Sequence, residues 1–348
     1  MSLKEAFAPY FKIGTSVNKW NMEADVAKAE LKKHYNTITA ENEMKPMHML
    51  DWMENLEHPE QYHDRPALCF DKARKYLDFA RESGIALRGH TLVWHNQTPF
   101  WFFKEQYSKE EDAPWASRET MLVRMENYIR DVLTFVQTEY PGVIYAWDVV
   151  NEAIEEREQE GWRHRSPWFK TVGEDFLLHA FRFARKYADP QVKLFYNDYN
   201  TFEPFKCGAI TDLILQPLME EKLVDGMGMQ SHLVLDDRIW PAYEKALHHY
   251  GSLGLEIQIT ELDIHNPDPS DEGQQKLAEA YGRLFIILTK AQKEEKANIT
   301  GVTFWGMKDD ESWLTGFRKE QSYPMLFGDE YELKAAYHAV MKVAEVQK

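Results

Sequence analysis

Short apolar runs, many of them β-branched, recur along the chain, and each is closed by polar or aromatic residues. Eight such runs predict strands, over 11–17, 37–41, 86–94, 144–151, 193–199, 227–232, 256–262 and 300–305. The stretches between them carry apolar residues at helical spacing. They predict helices over 22–34, 70–82, 118–137, 174–187, 208–222, 273–293 and 332–346, with Asp71 and Ser117 as caps. Strand alternating with helix implies a parallel sheet with right-handed crossovers. Eight such units in 348 residues predict an α/β fold, a (β/α)8 barrel formed as one domain over 1–348. No GxGxxG or P-loop string follows a predicted strand, so an open nucleotide-binding sheet has no support.

In a parallel barrel the chemistry sits at the C-terminal strand ends. Here those ends read Glu41-Asn42-Glu43-Met44-Lys45, Trp94-His95, Asn151-Glu152, Asn197-Asp198-Tyr199, Gln230-Ser231-His232, Glu261-Leu262-Asp263 and Trp305-Gly306. Glu152 and Glu261 matter most, because a carboxylate that ends a buried run is costly without a role. An isolated glutamate there is more often salt-bridged. Two among aromatics and amides point to catalysis. Paired carboxyls are the minimum for cleaving a glycosidic bond: one donates a proton to the leaving oxygen, and the other attacks or activates water. A carboxyl beside a carboxylate has its pKa raised, so one pair can fill both roles. A separation of about 5–5.5 Å serves retention and about 6.5–9.5 Å inversion. The residues alone leave both open.

Other residues fit around this pair. Asp263 shares a strand face with Glu261, and His232 on the neighbouring strand is placed to bridge the two. His90 and Trp94 share a face that suits a sugar subsite. His90 and His95 fall on opposite faces, so a metal is not expected, and no cofactor is implied. Lys45 and Asn42 are candidates for sugar hydroxyls, with an ion pair from Lys45 to Glu41 or Glu43 as the alternative. Trp305 and Trp313 suit a roof over a sugar ring, with core packing as the alternative. Gly226 and Gly228 are expected to share a face with Gln230 and His232 and to make room inside the barrel.

Composition narrows the partners. Lys plus Arg number 41 and Asp plus Glu 57, a net charge of −16. That disfavours nucleic acid and anionic membrane surfaces and leaves a neutral saccharide compatible. Aromatics at 14% suit stacking on sugar faces. Cys69 and Cys207 have no metal-ligand spacing and are expected as two buried thiols, with one long-range disulfide as the alternative. No apolar run has the length of a membrane span and no leader is visible, so the expected location is cytoplasmic.

Seven strings occur in order: Thr39-Ala-Glu-Asn-Glu-Met-Lys45, Gly89-His-Thr-Leu-Val-Trp-His95, Trp147-Asp-Val-Val-Asn-Glu152, Tyr196-Asn-Asp-Tyr199, Gln230-Ser-His232, Ile259-Thr-Glu-Leu-Asp263 and Phe304-Trp-Gly306. Together they closely resemble the family 10 glycoside hydrolases, the β-1,4-xylanases, over nearly the whole chain. The resemblance implies a (β/α)8 barrel with its catalytic residues at the ends of strands four and seven. It implies endo-hydrolysis of xylan or xylo-oligosaccharides with retention, by double displacement through a glycosyl-enzyme intermediate. Glu152 would be the acid/base and Glu261 the nucleophile. Asn151 would bind the sugar 2-hydroxyl, and Glu41, Asn42, Lys45, His90, Trp94 and Gln97 would line the glycone side. Gln230 and His232 would flank the nucleophile, with Asp263 behind them. Tyr199 would face the aglycone, and Trp305 and Trp313 would cover the sugars. Stretches 51–70 and 100–115 do not match the family pattern, and both follow strands, so they are expected to shape the cleft ends. With no carbohydrate-binding module in view, the likeness is to the intracellular, short-substrate branch. A sugar-binding barrel without turnover and a retaining β-1,4-glucan hydrolase are the competing readings.

Overall fold

The computed structural model describes residues 1–346. Its strands are β1 (Lys12–Val17), β2 (Thr37–Ala40), β3 (Ala86–Trp94), β4 (Ile144–Asn151), β5 (Lys193–Asp198), β6 (Gly226–Met229), β7 (His232–Val234), β8 (Glu256–His265) and β9 (Asn298–Phe304). Their order is β6-β5-β4-β3-β2-β1-β9-β8-β7, and β6 also pairs with β8. The ladders β1–β9, β3–β4, β4–β5, β7–β8 and β8–β9 are all parallel. Sequence neighbours that pair in parallel through helical crossovers make the predicted (β/α)8 barrel, with β7 as a short addition beside the end of β8. The chain resolves into two compact units. One holds 1–39, 199–207 and the residues from 227 onward, and the other holds 40–198 and 208–226.

In the second of these units β3 and β4 have the predicted bounds. Gly89 lies opposite Trp147, and a Cβ at Gly89 would sit 2.3 Å from that indole. Only glycine permits this approach. Beside them lies a fully buried ionic cluster. The Arg88 guanidinium pairs with Asp148, and His90 Nδ1 donates to Asp148 Oδ2 at 2.8 Å. The helix Arg118–Glu139 begins at Ser117, whose side chain accepts the N–H of Thr120, as predicted. Asp71 is not a cap. Phe70 holds that position, and Asp71 lies in the first turn of Asp71–Ser83, where its charge suits the helix N-terminus. Residues 210–215 wind as a π-helix before Gln216–Glu220, where Pro217 has no N–H to give the α-helical ladder.

The two unmatched stretches belong to this unit and are tied together. The Asn55 side chain closes 51–67, donating to the Ala67 carbonyl at 2.9 Å and accepting from the Ala67 N–H at 2.9 Å. Tyr107 donates to the Tyr62 carbonyl at 2.7 Å. Buried Arg124 donates to the carbonyls of His63, Phe102 and Lys104 at 2.7–3.0 Å, which anchors both stretches on the helix Arg118–Glu139.

In the other unit the helix Asp271–Lys293 is capped by Ser270 and packs against Ala335–Val346. A helix not predicted, Trp240–Ser252, buries Trp240, Tyr243, Ala246, Leu247 and Tyr250. The predicted strand 227–232 breaks in two. Ser231 takes φ +64°, and its hydroxyl lies 3.2 Å from the Met229 carbonyl and 2.8 Å from the Tyr243 hydroxyl. A non-glycine residue at positive φ persists where its surroundings fix it. The strand's face alternation is therefore lost at Ser231. Gly226 and Gly228 belong to β6, whereas His232 starts β7 opposite Asp263.

Among the described residues no helix is long and apolar enough to cross a membrane. Neither Cys69 nor Cys207 is in a disulfide.

Candidate active site

Glu152 follows the last residue of β4 and leaves the strand at φ +56°. Its N–H donates to the Asn197 carbonyl at 2.9 Å, which fixes the turn. Its carboxylate accepts from Trp94 Nε1 at 3.0 Å, and His95 Nε2 lies 4.0 Å from the same oxygen. Arg163 clasps the carbonyl of Glu152 through Nε at 3.0 Å and pairs with Glu155 at 2.6 Å. The next residue is held as well, since the Ala153 N–H donates to Tyr196 Oη at 3.0 Å. Asn151 accepts from Asn197 Nδ2 at 2.9 Å. A carboxyl aimed by its own backbone turn and met by an indole donor on one oxygen can give or take a proton at the other.

Close to Trp94 lies a polar triangle. Lys45 Nζ donates to Gln97 Oε1 at 2.8 Å and to Asn42 Oδ1 at 3.2 Å, and Gln97 Nε2 donates to Asn42 Oδ1 at 3.1 Å. The ammonium also stands 5.0 Å from the Trp94 ring centre, within cation–π range. The structure thus gives Lys45 two amide partners. Glu43 turns to the N–H of Asn42 at 3.3 Å. Glu41 is half-buried just after β2. His90 is 2% exposed and packs into the Asp148 cluster, with its ring 6.2 Å from Trp94.

Glu261 lies within β8, four residues before its end. Its N–H donates to the Gln230 carbonyl at 3.0 Å. Its carboxylate meets His232 Nε2 at 3.3 Å, while His232 Nδ1 meets Asp263 Oδ1 at 2.9 Å. Asp263 Oδ2 accepts from Trp313 Nε1 at 2.8 Å, and the Trp313 ring stands edge-on to His232 at 4.9 Å. Burial works against a charge on His232, but the Asp263 carboxylate, with Glu261 behind it, more than offsets this. The imidazole pKa is raised to about 10. His232 is therefore an imidazolium at neutral pH that donates to both carboxylates. The cation thus gives Glu261 a charge-assisted partner, and an ionised carboxyl is what a nucleophile needs.

Trp305 is nearly buried at the end of β9, and its N–H donates to the Leu262 carbonyl at 2.9 Å. Tyr199 follows β5 with the buried ammonium of Lys206 over its ring, 3.1 Å from the centre. The sequence reading did not single out Arg163, Asn197, Tyr196 or Lys206. Asn197 and Tyr196 stood inside a quoted string. Arg163 and Lys206 carry no local pattern, because tertiary folding alone brings them to their partners.

Residues 2–343 match glycosyl hydrolase family 10. The chain is 54% identical over 344 residues to endo-1,4-beta-xylanase B of Butyrivibrio fibrisolvens, covering 99% of this chain and 53% of that protein. It spans about half or less of the length of the first curated relatives it matches. Among solved structures, endo-1,4-beta-D-xylanase 10B of Clostridium thermocellum, complexed with xylohexaose, superposes with a TM-score of 0.87 at 35% identity. That match covers 98% of this chain and 67% of the other. An intracellular xylanase of Thermoanaerobacterium saccharolyticum in complex with xylotriose gives a TM-score of 0.83 at 34% identity, covering 97% and 98%. A match over nearly every residue, on the barrel that the strand order describes, leaves one assignment: the chain belongs to glycosyl hydrolase family 10.

Proposed function

We propose that the chain is a retaining endo-1,4-β-xylanase acting on xylan or short xylo-oligosaccharides. The observation that carries this reading is the Asp263–His232–Glu261 chain, in which a carboxylate within β8 is faced by a cation. Glu261 attacks the anomeric carbon while Glu152 gives its proton to the departing glycosidic oxygen. A covalent glycosyl-enzyme forms. Glu152 then takes a proton from water, the water oxygen bonds to the anomeric carbon, and Glu261 leaves as the carboxylate. Retention follows from the two inversions.

Asn151 and the Asn42, Lys45, Gln97 triangle bind sugar hydroxyls in this reading. His90, Trp94 and Glu41 complete the glycone side, Gln230 lies beside the nucleophile, and Tyr199 faces the aglycone. Trp305 and Trp313 cover the sugars. An intracellular role on short substrates is part of the proposal, supported by the likeness to a xylanase described as intracellular.

The test is proton NMR of the anomers released from xylotetraose in the first minutes. The β-anomer is expected first, followed by mutarotation. An α-anomer first would remove the nucleophile role from Glu261. No turnover, or faster release from an aryl cellobioside than from an aryl xylobioside, would move the reading to binding or to glucan.

A further inference from the structure

The segment that carries Trp313 leaves the barrel and returns as an exposed arc, with residues 316–321 all open to solvent. Its return is well held. The Tyr323 N–H donates to the Asn266 carbonyl at 2.8 Å, Tyr281 Oη donates to the Pro324 carbonyl at 2.7 Å, and the Met325 N–H donates to Asp309 at 2.8 Å. The arc itself is tied to the nucleophile strand by His265, the last residue of β8. His265 Nδ1 lies 3.0 Å from Ser322 Oγ and Nε2 lies 3.1 Å from Glu320 Oε1. A carboxylate only accepts, so Nε2 donates to Glu320 while Nδ1 bonds the Ser322 hydroxyl. One imidazole thus meets both partners. His265 and Ser322 are buried, whereas Glu320 is exposed. Ser322 also closes the arc on itself, its N–H donating to Thr315 Oγ1 at 3.2 Å.

Three features of one strand tail therefore hold one loop. Asp263 takes the Trp313 indole, His265 takes Glu320 and Ser322, and Asn266 takes Tyr323. The geometry points to His265 as a positioning residue: by clasping Glu320 and Ser322 it keeps the arc folded so that the Trp313 indole stays on Asp263. Asp263 in turn orients His232 against Glu261. The kinetic consequence rests on the xylanase reading above, but the clasp itself does not.

Two measurements on the full chain test it. The first is hydrogen exchange with mass spectrometry, which needs no assumption about the reaction. His265→Ala is expected to speed exchange of the 313–322 amides about tenfold or more while the Asp271–Lys293 helix is unchanged. Unaltered protection of the arc would overturn the clasp. The second is a double-mutant cycle of His265→Ala and Trp313→Phe on kcat/KM for xylotetraose. If His265 acts through the indole, the double variant is no slower than Trp313→Phe alone, and the single His265→Ala loss is about tenfold. Fully additive losses would overturn the route through Trp313. Should His265→Ala fold poorly, Glu320→Ala makes the same two tests from the exposed side of the clasp, with the same readings.

Discussion

The imidazole of His232 donates through Nε2 to the carboxylate of Glu261 at 3.3 Å. With a folded pKa of about 10, against about 6.5 in the unfolded chain, the charged ring favours the native state. That contribution is complete below about pH 6.5 and is lost as pH rises through about 10. Stability should therefore fall across the alkaline range, and His232→Gln should flatten that slope. Urea midpoints from pH 6 to 10 measure it, and parallel slopes for the two proteins would refute it.

Glu152 accepts from Trp94 and is aimed by its own turn. Glu152→Gln should lower kcat on xylotetraose by about 10²–10⁴-fold. Aryl xylosides with good leaving groups need no proton, so their first step should be nearly intact, seen as a burst of released phenol. Equal loss on both substrate types would take the acid role away from Glu152.

Lys45 holds Gln97 and Asn42 in one hydrogen-bonded group. Lys45→Met keeps the stem and deletes the donor. Charge-assisted bonds are worth about 1.5–3 kcal/mol, so kcat/KM on xylotetraose should fall about tenfold to hundredfold. An activated aryl xyloside that does not reach the triangle should lose much less. A uniform loss would mean a general structural role.

The Arg88–Asp148 pair is fully buried with His90 on the same carboxylate. Asp148→Asn removes the Asp148 charge from a buried guanidinium, at a cost of about 3–5 kcal/mol. Denaturant unfolding should show that drop, and a change under 1 kcal/mol (about a fivefold shift in the equilibrium) would contradict it.

Much of this was legible from the chain. β3 and β4 have the predicted bounds because largely apolar runs end there and polar loop residues follow. Alternation also placed Glu261 and Asp263 on one face, where His232 now bridges them. The break at Ser231 was not legible, since it depends on a hydroxyl meeting Tyr243 from a distant helix. That helix, Trp240–Ser252, was missed although its buried residues fall at helical spacing and Pro241 sits in the first turn, a favoured place for proline. His90 was read from its position alone, without its pairing to Asp148. Its Asp148 partner was quoted in a string, yet charge pairing between adjacent strands needs the register.

The indole of Trp94 lies beneath the Lys45 ammonium on one side and bonds Glu152 at its nitrogen. In the proposed reading, recognition and proton transfer therefore lean on one flat ring. Anyone seeking to retune which sugar this scaffold accepts has freedom at Asn42 and Gln97, whose partners are one another and Lys45. Position 94 offers no such freedom, because any change made there for taste is also felt by the Glu152 carboxylate.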